Sequence, residues 1–330
     1  MRIILDAFGG DNAPLAALEG ARLAADKLPG LKLILAGRQE EMERCAQAHR
    51  IALDGFDFLE APHVFKMEME PTTILKENSD TSMAAGLKAL AEGKGDAFIS
   101  AGSTGALLVG ATLFVKRIRG VRRAAIAAVL PTPKRPFLLL DSGANTECTA
   151  EMLENFALLG SVYMQKVVGV ERPEVALVNI GTEENKGGAL RQEAFARLKA
   201  NGRIHFTGNI EARELPGGNC DVAVADGFTG NIVLKLFEGL SSMLLGLIKG
   251  VFTKNPITML GAALVSKGLR GIKKQMDYSE YGGAPLLGIN GIVIKAHGSS
   301  NAKAIFNAVR QAQRCAEQRV VETIKENLQP

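Results

Sequence analysis

Short apolar, β-rich runs that end in clusters of glycine, serine, threonine, asparagine and aspartate recur along the whole chain. Ile3–Asp6 leads into Ala7-Phe8-Gly9-Gly10-Asp11-Asn12-Ala13-Pro14 and then a helical stretch to about Lys27. Leu31–Leu35 leads into Ala36-Gly37, and Asp96–Ser100 into Gly102-Ser103-Thr104-Gly105. Val175–Asn179 leads into Ile180-Gly181-Thr182, and Val222–Ala225 into Asp226-Gly227-Phe228-Thr229-Gly230-Asn231. Runs this continuously apolar are strands buried on both faces, which requires helices above and below a parallel or mixed sheet. The pattern therefore predicts an α/β protein with three layers, α/β/α, around a mostly parallel sheet. Ala124–Leu130 and Phe137–Asp141 are joined by the proline-rich Pro131–Pro136, which reads as an antiparallel excursion or hairpin. The expectation is one large domain over 1–330, with a weak subdivision near 145–150.

The loops carry the glycine excess, 36 of 330 residues, where about 7% is usual. In doubly wound folds ligands bind beyond the carboxyl ends of the strands, where these loops fall. Clustered backbone N–H groups there favour anions, phosphate above all. The common nucleotide fingerprints are missing: there is no Walker-type loop, and Gly93-Lys94-Gly95 lacks the third glycine. There is no G-x-S-x-G nucleophile elbow either. A net charge of +4 and 5% aromatic residues without tryptophan argue against nucleic acid. The four cysteines are scattered and no histidine pair has metal-ligand spacing, so neither a disulfide framework, a metal nor a cofactor is expected. The compartment reads as reducing cytosol. The N-terminal apolar run is too short for a signal peptide. The 19 uncharged residues from Ala97 to Val115 are interrupted by a glycine loop and read as strand then helix.

Candidate phosphate or substrate contacts are Gly9, Gly10 and Asp11; Ser103, Thr104 and Gly105; Ser142, Gly143 and Asn145; Thr182; and Asp226, Thr229 and Asn231. Ser103 or Thr104 serves equally well as a helix N-cap, and Asp141-Ser142-Gly143-Ala144-Asn145 shares that ambiguity. Lys186 adds a compact cation to a loop, though a solvated lysine gives the same pattern. His297, in Lys295-Ala296-His297-Gly298-Ser299-Ser300-Asn301, is the histidine set beside a Gly/Ser loop, and is either functional or a packing imidazole.

Ile232–Lys274 is apolar with basic edges, and Glu238 is its only acid. Asn255-Pro256 divides it into two helices, a protruding hairpin over 232–274. Each uncharged run is too short to span a bilayer. The hairpin can lie in a membrane interface, pack on a second copy or be buried core; Leu245, Ile248 and Lys249 are its candidate contacts. A second basic cluster contains Arg117, Arg122 and Arg123; with Lys267 it can meet an acidic partner or simply be solvated.

As a set, four blocks resemble the bacterial phosphate acyltransferases of phospholipid synthesis, the PlsX family. They are Asp6–Pro14, Asn179–Gly187, Asp226–Asn231 and Tyr281-Gly282-Gly283-Ala284-Pro285-Leu286-Leu287-Gly288, in order along the chain. One departure is Phe8, where the family's pattern has methionine. The resemblance implies conversion of acyl-[acyl carrier protein] and orthophosphate to acyl phosphate and free carrier protein. It also implies a fold like the isocitrate and isopropylmalate dehydrogenases and the phosphotransacetylases. A homodimer, loose association with the inner face of the cell membrane, and contact with a downstream glycerol-3-phosphate acyltransferase are further expectations from it.

That chemistry suits the residues. Phosphate is substantially dianionic near neutral pH, and a thiolate with an ordinary pKa near 8.5 leaves readily. Positioning and oxyanion stabilisation then suffice, with no nucleophilic triad. The expected catalytic groups are Lys186, stabilising charge on phosphate or oxyanion, and His297, donating to the carbonyl oxygen or leaving sulfur. Three other readings remain: a phosphotransacetylase using short acyl-CoA, a non-catalytic carrier-binding membrane scaffold, and a decarboxylating dehydrogenase.

Overall fold

A computed structural model describes residues 1–276 and 282–328. Tyr281 of the last sequence block lies outside the described residues, as do the side chains of Ile272, Lys273 and Lys274. The chain runs β1 (Arg2–Asp6), α1 (Leu15–Lys27), β2 (Lys32–Gly37), α2 (Gln39–His49), β3 (Asp57–Glu60), α3 (Ser82–Ala91), β4 (Ala97–Ser100) and α4 (Thr104–Gly110). It continues through β5 (Ala125–Ile126), β6 (Ala128–Leu130), β7 (Phe137–Leu140), α5 (Ala150–Tyr163), β8 (Glu174–Asn179), α6 (Ala189–Ala200), β9 (His205–Glu211) and β10 (Val222–Val224). The last elements are α7 (Gly227–Phe252), α8 (Pro256–Leu264), α9 (Ser266–Met276), β11 (Ala284–Leu287), β12 (Ile292–Lys295), α10 (Ala302–Glu317) and α11 (Val320–Leu328).

The mostly parallel character expected from the apolar runs is present, but the strands form two sheets. One has the order β3-β2-β1-β4-β12-β11-β5 and the other β6-β7-β10-β8-β9. In the first, β3 to β12 are parallel and β11 and β5 are antiparallel additions. In the second, only β6 runs against its neighbour, pairing Ala128 with Leu139 and Leu130 with Phe137. That is the hairpin read from the proline-rich connection. The continuous run Ala124–Leu130 changes sheets at Ala127: β5 pairs with β11, and β6 with β7. Periodicity cannot reveal such a passage, because both halves are equally apolar. It falls ahead of the 145–150 region, which is the loop entering α5.

Both sheets are covered on both faces, as the strand composition requires. From β1, Ile3 and Leu5 face a core shared with α1, α2 and α10, while Ile4 faces a second core with α3 and α4. In the other sheet, Leu138, Val175, Leu177 and Val222 pack on α5 and α6 through Phe156 and Phe195. Phe137, Leu139, Ala176 and Ala223 face the opposite layer, where Val233, Leu234 and Phe237 of α7 lie against them.

Beyond this base α7 projects outward. Leu236, Leu240, Met243, Leu244, Leu247 and Val251 are exposed, and their spacing places them on one face. Asn255 caps α8 by accepting from the Thr258 N–H at 2.9 Å, with Pro256 in the first turn, so the expected break is there. A third helix, α9, follows after Val265. The uncharged runs here are short, as expected, but the helix that carries the first of them is long. Among the described residues α7 is the one helix long and apolar enough to cross a membrane, because it passes through Lys235 and Glu238 instead of ending at them. Leu245 and Ile248 are half-buried; Leu244 and Leu247 are the outward neighbours.

A buried polar contact ties the layers of the two sheets together. Gln311 Nε2 of α10 donates to the Tyr163 hydroxyl of α5 at 2.8 Å. Tyr163 is 1% exposed, and burial pushes its phenol far above its ordinary range. Tyr163→Phe should cost about 1–3 kcal/mol by stranding the amide. Adding Gln311→Leu should recover part of that loss, measured by urea denaturation of both variants.

Candidate active site

The carboxyl ends of β4 and β12 in one sheet and of β7 in the other meet at one cleft, and a buried carboxylate organises each side. On the first sheet, Asp6 ends β1 and is 3% exposed. It accepts from the Ser100 hydroxyl at 2.6 Å and the Phe8 N–H at 3.2 Å. Burial pushes its carboxyl above the ordinary value against the pull of those bonds. A Cβ on Gly9 would stand 2.7 Å from both Asp6 Oδ2 and the Gly102 nitrogen, so only glycine lets the β1 and β4 loops approach this closely. The Asp11 N–H donates to the Gly298 carbonyl at 2.8 Å, and Asn12 Nδ2 to the Ser299 and Ser300 carbonyls at 3.2 Å. The loops after β1, β4 and β12 are thereby joined.

On the second sheet, Asp141 follows β7 and is fully buried. Its carboxylate accepts from the backbone N–H groups of Ile126, Gly143, Ala144 and Asn145 at 3.0, 3.2, 3.1 and 2.7 Å, and from Asn145 Nδ2 at 2.9 Å. Burial raises its pKa while these bonds pull it back. The Ile126 contact crosses from one sheet to the other. The Ser142 hydroxyl donates to the Ile126 carbonyl at 2.8 Å, and Asn145 Nδ2 to the Ala124 carbonyl at 2.8 Å. The start of α7 closes over this loop: the Gly227 N–H donates to the Asn145 carbonyl at 2.6 Å.

Between the two sides lies a cavity of about 320 Å³. Its polar lining is Thr104, Ser142, Gly143, Asn231, Lys295 and His297, from loops, strand ends and the start of α7; its apolar lining is Ile126, Ala128, Val129, Leu130 and Leu234, from β5, β6 and α7. Lys235 and Glu238 of α7 also line it and pair with each other at 2.8 Å. The Ser299 N–H donates to His297 Nδ1 at 3.2 Å, with the Ser299 hydroxyl 2.8 Å from the same atom. Nδ1 is thus the acceptor nitrogen, and the neutral ring carries its proton on Nε2.

Of the residues singled out from the sequence, Thr104, Ser142, Gly143, Asn231 and His297 come together on the cavity wall. Gly9, Gly10, Asp11, Ser103, Gly105 and Asn145 shape the loops behind it. Ser103 caps α4, accepting from the Ala106 N–H at 3.4 Å, and Gly105 lies against Pro71. Asp226 caps α7 through the Thr229 N–H at 2.9 Å, and also takes the Thr229 hydroxyl and the Arg191 guanidinium. Burial raises the Asp226 carboxyl, but these donors outweigh it and hold it below the ordinary value. Thr182 and Lys186 stand exposed on the loop after β8, outside the cavity lining, with Lys186 Nζ 3.8 Å from Glu183. Arg117, Arg122, Arg123 and Lys267 are exposed; Arg122 pairs with Glu151 at 3.0 Å. Lys295 was not among the expected contacts. Its signal was a lysine closing the otherwise apolar Ile292-Val293-Ile294, at the carboxyl end of a strand.

Two mostly parallel sheets, with a cavity of mixed polar and apolar lining at strand ends, define an α/β fold with a ligand-sized site, and the comparisons with known proteins make the class specific. The model of a family described as "Fatty acid synthesis protein" matches residues 1–323. A phosphate acyltransferase of Alkaliphilus oremlandii is 45% identical over 328 residues, covering 99% of this chain and 97% of that protein. One of Caldanaerobacter subterraneus is 43% identical over 330 residues, covering 100% and 98%. Among solved structures, a phosphotransacetylase of Streptococcus pyogenes superposes with a TM-score of 0.64 at 17% identity, covering 98% of this chain and 94% of that one. The EutD phosphotransacetylase of Staphylococcus aureus gives 0.61 at 17%, covering 95% and 94%; at this identity the likeness is one of fold. The chain belongs to the PlsX family of phosphate acyltransferases and is an acyltransferase.

Asp141→Asn keeps the volume but turns one acceptor oxygen into a donor facing N–H groups. It should lower stability by about 2–3 kcal/mol, read from chemical denaturation, and should lower turnover by displacing Ser142 and Gly143.

Proposed function

We propose that the chain transfers a long acyl group from the thioester of an acyl carrier protein to orthophosphate, giving acyl phosphate for phospholipid synthesis. The observation that carries this reading is the mixed lining of the cavity: its lysine, imidazole and hydroxyl groups suit phosphate, and its apolar residues from β5, β6 and α7 suit an acyl chain. Phosphotransacetylases share the fold, and a short acyl-CoA remains the second reading. The apolar wall from Ile126 to Leu130, continued by Leu234, favours the longer acyl group.

In the proposed reaction one oxygen of hydrogen phosphate attacks the thioester carbonyl carbon. Negative charge gathers on the carbonyl oxygen, which the Nε2–H of His297 meets in the proposed reaction. Collapse breaks the carbon–sulfur bond, and the thiolate takes up the proton that the phosphate brought. Atoms and charge balance without a covalent enzyme intermediate. Thr104, Ser142 and Asn231 orient phosphate or the carrier's pantetheine arm. Gly9, Gly10, Asp11, Ser103, Gly105, Gly143, Asn145, Asp226 and Thr229 hold the loops that present them. Thr182 and Lys186, at the edge beyond the Arg191–Asp226 pair, meet the carrier arm or stabilise charge as it enters. Hydrogen-bonded stabilisation of this kind is the main resource where no nucleophile is present.

The acyl carrier is expected to be acidic, and Arg117, Arg122, Arg123 and Lys267 would steer it. The exposed stripe of α7 and the acid-free α8 and α9 support packing on a second copy at the base. They also support seating at the inner face of the cytoplasmic membrane at the tip, near a glycerol-3-phosphate acyltransferase that uses the product. The compartment proposed is the cytoplasm.

A palmitoyl-carrier thioester should release free thiol only when phosphate is present, and acetyl-CoA should react far more slowly; phosphate-independent release or preference for acetyl-CoA would refute the reading. Leu244→Glu and Leu247→Glu, on the outward face, should reduce flotation with anionic vesicles more than Leu245→Glu or Ile248→Glu. Equal flotation of all four would return α7 to packing alone.

A further inference from the structure

Lys295 closes β12, opposite Ser100 of β4, and belongs to the polar lining of the cavity. Its ammonium donates to two backbone carbonyls, that of Ala101 at 3.3 Å and that of Ala296. An ammonium has three N–H groups, so one remains. Among the described residues no carboxylate lies within ion-pair distance of it. The cavity's other lysine, Lys235, is already paired with Glu238. The charged groups facing Lys295 are Asp6 at the end of β1, Asp11 in the loop beyond, and Lys235 on α7; His297 follows it on the same wall. Two carboxylates at a distance and two neutral oxygens in contact leave a half-buried cation held in place but not neutralised. That state is costly without a purpose.

We propose that Lys295 is the phosphate-binding cation of the cavity, its third N–H meeting a phosphate oxygen beside His297. The assignment rests on the reading of orthophosphate as acceptor. It separates two roles that one lysine was expected to fill: Lys295 holds phosphate inside, while Lys186 stands at the rim. Burial, joined by the charge of Lys235, pulls the ammonium down to about 8, with Asp6 and Asp11 pulling the other way. Phosphate binding needs the protonated form, so affinity should weaken as pH rises through 8. The folded value lies below the ordinary 10.5, so the empty protein bears the cost of this charge below pH 8. Its stability should rise from there toward 10.5. Removing the charge should therefore leave the empty fold at least as stable.

The test is isothermal titration of inorganic phosphate into the full-length protein, its K295M, K295R and K186A variants, and thermal melting of each. Lys295→Met should melt no lower than the parent and lose about tenfold to a hundredfold in phosphate affinity, the value of one charge-assisted hydrogen bond. Lys186→Ala should bind phosphate more tightly than Lys295→Met does. Lys295→Arg keeps a charge that does not titrate in this range; it should retain binding and lose the weakening through pH 8. Parent-like affinity in Lys295→Met, or an unchanged pH dependence in Lys295→Arg, would overturn the assignment while leaving the proposed reaction standing. Failure of the parent protein to bind phosphate at all would overturn both.

Discussion

The buried carboxylate of Asp141 is the contact on which the site depends. It collects five N–H donors, four from its own loop and one from Ile126 in the other sheet. Without it the chain would still cross between sheets at Ala127, but the ends of β5 and β7 would be joined only through Ser142 and Asn145. Asp6 does the corresponding work on the far side, tying β1 to β4 through Ser100. In each case an acceptor taken out of water is compensated by several donors, which makes the loop geometry specific and costly to deform. The glycines follow from this. A Cβ on Gly230 would stand 1.9 Å from the Asp141 carbonyl oxygen, so α7 approaches the loop only because that side chain is missing.

These anchors leave a cavity of mixed polar and apolar lining. Two carboxylates of this region are consumed in structure, Asp226 by Arg191 and Thr229, and Glu238 by Lys235. An anion entering the cavity therefore meets hydroxyls, an imidazole and one ammonium lacking a contact ion. Such a site needs no strong nucleophile: it supplies orientation and a preorganised field where charge develops. A family that joins phosphate to acyl groups requires both.

Much of the fold was legible because the buried strands are almost wholly apolar and most end in a glycine loop. Ile3–Asp6, Val175–Asn179 and Val222–Ala225 lie within one residue of the strands observed. The partition into two sheets was not legible, since Ala124–Leu130 gives no sign of changing partners at Ala127. Nor was the antiparallel β11, a run of four residues. Site residues divide in the same way. Thr104, Ser142, Asn231 and His297 announce themselves as polar groups in glycine loops, and they share one wall. Lys295 was hidden because its meaning depends on a long-range contact with Ala101 and on the charges of Asp6 and Asp11 nearby. Asp141 and Asn145 carried the composition of a ligand loop, yet most of their hydrogen-bonding capacity goes to holding the chain.

The central claim is that phosphate occupies the polar lining of the cavity between the two sheets. A crystal structure of the protein with bound arsenate or phosphate tests it most directly. The anion should lie within hydrogen-bonding distance of Lys295 Nζ and the His297 ring, flanked by Thr104 or Ser142. An anion bound elsewhere, with this wall left to solvent, would contradict the account.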